Sequence, residues 1–224
     1  VFSDVGMLPS YLMGLNPINF KKNIPKLFNN NVFLKESIKQ IKKIKLKKFK
    51  TLIFFNYLPE LEDFLFWSQQ LIAESLGKKK TGIMPVMSSA PKDHHSLLQL
   101  YLDGPRDKYF YIFSVKKNKR AKLRFNSLGK KTSFLNKKNY ENIKNAQKDA
   151  FKKALDTEKI PYREIIINKI DENNIGKLFF TFILETFILS KIIKVNPFNQ
   201  PAVEKVKIFT KKILISNNFS KKNF

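Results

Sequence analysis

An amide, a carboxylate and an imidazole stand out in a chain whose charge is mostly lysine. In WSQQLIAESLG, Gln70 and Glu74 lie four residues apart, with Trp67 three residues earlier. On a helix that spacing gathers all three on one face, the amide one turn from the carboxylate. The amide can orient a hydroxyl while the carboxylate removes a proton. The same spacing also describes a solvated polar stripe. His94 and His95, the only 2 histidines, follow Asp93. Imidazole is the side chain best suited to exchange a proton near neutral pH, although such a pair is as readily structural. Near the C-terminus, Gln200 and Lys207 are seven residues apart, two helical turns. There Ala202, Val206, Phe209 and Ile213 form the expected buried stripe, and Lys207 flanks it as a candidate proton donor or phosphate neighbour.

The composition bounds what these groups can serve. The 224 residues are 43% hydrophobic and 13% aromatic, with only 7 glycines and 10 prolines. Such a chain packs a core, as one sizeable domain or two small ones. With 0 cysteines there is neither a disulfide framework nor a thiolate metal site. Two adjacent histidines are too few for most histidine-based metal sites, so no metal is expected. The formal charge of +25 creates a field that attracts nucleic acid, anionic lipid or phosphorylated metabolites. The basic residues are nevertheless scattered, and they are mostly lysine rather than the arginine of base readout. Lys, Asn, Ile and Phe are enriched together, as AT-rich codons produce. No nucleic-acid reader motif, Gly-rich phosphate loop or serine elbow is present, and no nucleic-acid partner is expected.

The most apolar run, LFFTFILETFILSKII from Leu178 to Ile193, is interrupted by Glu185 and Lys191. It falls short of the roughly 20 residues of a spanning helix, so a buried helix is expected and no membrane partner. Val1 is not a start methionine, and no basic segment precedes VFSDVGMLPSYLMG as a secretory signal requires. The chain is therefore expected to begin part-way along a gene product.

The elements that must position the candidate groups follow from periodicity. Phe33 to Lys48 reads as an amphipathic helix. KTLIFFNY (50–57) is a short continuous apolar run, which suits a strand buried on both faces. Pro59 and Glu60 open a helix that reaches Leu76, with Gly77 as its stop. TGIMPVMS reads as extended, DHHSLLQLYLDG as a helix, and KYFYIFSV (108–115) as a strand. From 116 to 138 apolar content falls, which implies a surface excursion. A helix from Tyr140, a strand in REIIINKI, a long helix over 173–193 and a last helix with Pro201 in its first turn complete the chain. Asn196 or Asn199 is the expected cap of that last helix. Strands separated by helices call for an α/β fold with a parallel sheet and helices on both faces. In such sheets the chemistry is expected at the strand carboxyl ends.

Two long stretches, WSQQLIAESLGKKKTGIMPVMSSAPKDHHSLLQLYLDGP and FILETFILSKIIKVNPFNQPAVEKVK, resemble the glucose-6-phosphate isomerase family. The second fits the family's C-terminal signature through Ser190, Phe198-Asn199-Gln200, Ala202-Val203-Glu204 and Lys207. VFSDVGMLP looks like the continuation of the family's Gly-Gly-Arg-aromatic-Ser signature, with the Gly-Gly-Arg expected ahead of Val1. The resemblance runs to about Ile215.

The resemblance implies a three-layer sugar-isomerase (SIS) α/β domain plus a C-terminal helical segment. Residues 1–224 are then the second SIS domain and C-terminal segment, and the first SIS domain lies outside this chain; the surface excursion over 115–138, read from composition, matches nothing in the family. It implies a cytoplasmic, cofactor-free enzyme of glycolysis and gluconeogenesis. That enzyme interconverts glucose 6-phosphate and fructose 6-phosphate through ring opening and a cis-enediol. Carried over by position, Glu74 is the base between C2 and C1, His95 assists ring opening, Lys207 works on the ring-oxygen side, and Gln70 and Gln200 bind substrate. His94 takes no role. A homodimer is implied, with the histidine serving the partner's site. The family's phosphate-binding loops and enediolate-facing arginine are not in this chain, so the isolated polypeptide is expected to be inactive. The alternative is a non-catalytic SIS module that binds sugar phosphates.

Overall fold

Three short runs, TLIFFN, KYFYIFSV and YREIII, are rich in β-branched and aromatic residues and suit strands, while MPVMSS is too short for a stable helix and pairs along the edge of TLIFFN. The structure is a computed structural model that describes residues 1–46, 49–116 and 129–220. The elements run α1 (Asp4–Leu12), α2 (Pro17–Lys21), α3 (Ile24–Phe28), α4 (Asn31–Leu46), β1 (Thr51–Asn56), a 3-10 turn (Pro59–Leu61) and α5 (Glu62–Leu76). They continue with β2 (Met84–Ser89), α6 (Asp93–Ser96), α7 (Leu98–Asp103), β3 (Lys108–Val115), a 3-10 segment (Lys130–Leu135), α8 (Tyr140–Thr157), β4 (Tyr162–Ile167), α9 (Glu172–Ile192) and α10 (Pro201–Ser220).

The sheet has the order β2-β1-β3-β4, and every pairing is parallel. Parallel neighbours need crossovers, and helices supply them on both faces. Side chains alternate along each strand. Leu52, Phe54, Tyr109, Tyr111 and Phe113 therefore join one core with Leu65 and Ile72 of α5 and Phe182 of α9. Ile53, Phe55, Phe110 and Ile112 join the other with Tyr101 of α7 and Phe151 and Leu155 of α8. This is the expected three-layer α/β architecture. The strand expected over 108–115 forms with those bounds. Part of the 115–138 excursion, residues 117–128, lies outside the described residues.

Three expectations change. The helix drawn through DHHSLLQLYLDG divides into α6 and α7. Asn196 does not cap α10: its Oδ1 accepts from Phe198 N at 2.9 Å in the preceding turn. The apolar stripe of α10 is not buried either. Every residue from Pro201 to Ser216 is exposed, Val206, Phe209 and Ile213 included, and none of them joins either core. Helices α1 to α3 have no counterpart in the periodicity. They are short, and α2 is opened by Asn16, whose Oδ1 accepts from Ile18 N and Asn19 N, with Pro17 first in the helix. A Cβ at Gly176 would collide with the Phe20 carbonyl, so glycine lets α2 seat on α9.

Candidate active site

Helix α5 follows the carboxyl end of β1 and runs back to the start of β2, carrying its C-terminal turn to the amino end of the sheet. Gln69 marks the position, its Nε2 donating to Pro85 O at 3.0 Å. One turn further on, Gln70 Nε2 donates to Glu74 Oε1 at 3.0 Å, as the four-residue spacing predicts. Helix α9 returns to the same end of the sheet, and the loop after it brings Gln200 against the same carboxylate. Gln200 Nε2 donates to Glu74 Oε2 at 2.5 Å. Each oxygen of Glu74 thus accepts from one amide while the side chain faces a cleft of about 510 Å³, lined also by Ala73, Lys78, Asn196 and Val203. A carboxylate offers about four lone-pair directions, so two such bonds orient it and leave capacity to take a proton. The volume lies within the range of small-molecule sites.

The loops that wall the cleft are tied by two lysines that sequence reasoning did not single out. Lys78 Nζ donates to Asn196 O, and Lys79 Nζ to Lys194 O at 3.4 Å. Desolvation lowers the pKa of Lys78, and Glu74 opposes that shift. The run of lysines hid them, since any one resembles the rest.

His95 stands elsewhere. β2 runs from the amino to the carboxyl end, and α6 follows it. The six residues of β2 correspond to about 20 Å of strand at 3.3 Å per residue, so His95 and Glu74 lie beyond opposite ends of the sheet. The expectation that strand carboxyl ends gather the chemistry places His95 but not the carboxylate. In α6 the two histidines diverge. His95 is exposed, whereas His94 is half-buried among Phe55, Tyr57 and Phe151, with Nε2 2.7 Å from Tyr57 Oη. The turn is held by Asp93: Oδ2 accepts from Ser88 Oγ and Ser89 N, and Oδ1 from Ser96 Oγ, each at 2.8 Å. Burial works against the Asp93 anion, but these donors and Lys92 outweigh it and lower its pKa.

Lys207 lies seven residues beyond Gln200, about 10 Å along a helix. It is exposed rather than half-buried, and its Nζ pairs with Glu204 Oε1 at 2.7 Å. Within one chain, then, Gln70, Glu74 and Gln200 come together, and His95 and Lys207 do not join them.

The interruption at Glu185 also has a structural answer. Glu185, 4% exposed, takes both carboxylate bonds from Arg163 Nη1 at 2.8 Å, and the guanidinium lies 5.4 Å from the Tyr111 ring centre. Burial pushes the Glu185 carboxyl up, with Arg163 pulling the other way. A charge inside an apolar run must find a partner; that was its sequence signal. The pair fastens the C-terminal half of α9, and hence the loop bearing Gln200, to β4. Among the described residues no group of three His, Cys, Asp or Glu is arranged to hold a metal ion, and no helix is long and apolar enough to cross a membrane.

No protein-family model matches the chain. Individual relatives do. It is 34% identical over 73% of its length to the glucose-6-phosphate isomerase of Campylobacter jejuni, covering 42% of that protein. It is 31% identical over 92% of its length to that of Methanocaldococcus jannaschii, covering 53%. The chain belongs to the glucose-6-phosphate isomerase family. The fold agrees. A hypothetical protein from Thermus thermophilus superposes with a TM-score of 0.82 at 24% identity, covering 95% of this chain and 54% of that one. A glucose-6-phosphate isomerase from Chlamydia trachomatis gives a TM-score of 0.64 at 15% identity, covering 93% and 44%. The chain thus spans about half the length of these isomerase-family relatives.

Proposed function

We propose that this chain supplies the proton-transfer half of a reversible aldose–ketose isomerase acting on glucose 6-phosphate and fructose 6-phosphate. One observation carries the reading: Glu74 is presented to a cleft of about 510 Å³ with both oxygens oriented by the amides of Gln70 and Gln200. Such a carboxylate can take the C2 proton of an open-chain aldose phosphate while O1 takes one from water, leaving a cis-enediol. It can then return the proton to C1 as O2 gives up its own to water and the ketose forms. Ring opening comes first. His95 assists it, and Lys207 attends the ring oxygen. The resemblance implies that the imidazole at each cleft comes from a second copy in a homodimer, and the distance between His95 and Glu74 along β2 is compatible with that.

No metal or organic cofactor enters this scheme, which shifts protons only. The chain forms the second SIS domain and C-terminal segment, and the phosphate is held by the other half of the whole protein, in the cytoplasm. The chain alone is then inactive. The alternative is a non-catalytic SIS module, in which the whole protein binds sugar phosphates without turning them over.

The deciding experiment is a coupled assay in both directions on the whole protein and on the isolated chain. Turnover by the first only is the expected result. An inactive whole protein that still binds fructose 6-phosphate would replace the isomerase by a sugar-phosphate-binding module. Turnover by the isolated chain would sink the need for the other half.

A further inference from the structure

His94 is the residue to which the resemblance gives no role, yet it is among the best-held side chains of the carboxyl end. Consecutive residues on a helix point about 100° apart. In α6 this sends His94 into the core and His95 out to solvent. His94 meets the Phe55 ring at 5.4 Å, the Phe151 ring at 5.6 Å and the Tyr57 ring at 5.9 Å between centres, and its Nε2 lies 2.7 Å from Tyr57 Oη. We propose that His94 is a positioning residue: clamped by Tyr57 and the Phe55–Phe151 pair, it fixes the rotation of the one-turn helix and thereby the direction in which His95 projects. This rests on the role given to His95 above.

The chemistry of the clamp is consistent within itself. Desolvation, with a smaller effect from Asp149, raises the pKa of Tyr57, so the phenol keeps its proton and donates it. Desolvation, then the charge of His95, lowers the pKa of His94 against the pull of Asp93, so the ring stays neutral and Nε2 accepts. The Asp93 bonds to Ser88, Ser89 and Ser96 fix where the turn starts, but a helix of four residues fixes its own rotation poorly. Tyr57 is 1% exposed and follows β1 directly, which makes it a rigid post for that purpose. The residue that matters is thus one whose neighbour in sequence does the chemistry.

Three variants of the whole protein test this: Tyr57→Phe and His94→Leu, each removing one side of the hydrogen bond, and His94→Gln, which restores an acceptor. Misplacement of a reacting group costs up to about 100-fold, so Tyr57→Phe and His94→Leu are expected to lower kcat about tenfold with KM within about twofold, and His94→Gln to recover most of the loss. A merely structural role would lower stability without this split and without rescue. The second readout needs no activity: side-chain relaxation of the His95 ring by NMR, with a thermal melt as a check on folding. Wild type and His94→Gln should show one ordered ring, and Tyr57→Phe and His94→Leu a freely turning one. Unchanged His95 order in folded variants, or kcat within about twofold throughout, would overturn the proposal. An inactive wild type defeats the isomerase reading and leaves this inference to the ring measurement.

Discussion

At the amino end of the sheet a carboxylate is held and left open; at the carboxyl end a carboxylate is held and used up. Glu74 accepts one amide on each oxygen and faces a cleft. Asp93 commits both oxygens to two serine hydroxyls and a backbone N–H, shaping the turn that displays His95. The same chemical group is thus a candidate reactant in one place and a bracket in the other, and only its partners distinguish the two. The groups proposed to move protons therefore sit at both ends of the sheet, and one chain does not bring them together.

The comparison can be broken at either end. The largest effect is expected from Glu74→Gln in the whole protein, a loss of at least about 1,000-fold in turnover by coupled assay, since base removal and mispositioning both act. A loss below about tenfold would end the assignment of Glu74 as base. Next comes the support of the amino end. Arg163→Met leaves Glu185 buried without its cation and should cost this chain about 3–5 kcal/mol in urea unfolding, whereas pairing it with Glu185→Leu should restore most of that.

A mixture sharpens the separation itself. If one copy's histidine serves the other's cleft, whole proteins carrying Glu74→Gln and His95→Ala, each inactive alone, should recover about a quarter of wild-type activity once subunits exchange, because half the dimers then hold one intact site of two. No recovery in exchanged dimers would place both groups in one chain's site. A subtler effect is expected at the carboxyl end. The folded pKa of His94 lies below its ordinary 6.5, so the unfolded chain binds the extra proton and stability falls as pH drops through that value and below. Urea midpoints at about pH 7.5 and about pH 5.5 should differ less in His94→Gln than in wild type. Smallest of all, Lys207→Ala should leave the melting temperature of the isolated chain unchanged, since an exposed pair contributes little.

What the sequence made legible follows from what each residue touches. The sheet could be read because Phe54, Phe55, Phe110 and Ile112 sit in continuous apolar runs, and a strand covered on both faces needs them. Gln70 and Glu74 could be paired because four residues on a helix is a local distance. The bond from Gln200 to Glu74 spans 126 residues and enters the sequence reading only through family resemblance. Arg163 and Tyr57 stayed hidden because their partners, Glu185 and His94, are set by packing across the fold. α10 was misjudged for the opposite reason: its apolar spacing is real, but spacing does not say what lies opposite.

That bare helix has a measurable corollary. From Pro201 to Ser216 its side chains meet water on every face, so beyond its first turn its persistence depends on its own backbone bonds, which are marginal at such lengths. Amide hydrogens along α10 should therefore exchange with deuterium well ahead of those in α9, and a solution of the isolated chain should bind a fluorescent apolar dye at Phe209 and Ile213 while the rest of the molecule remains folded.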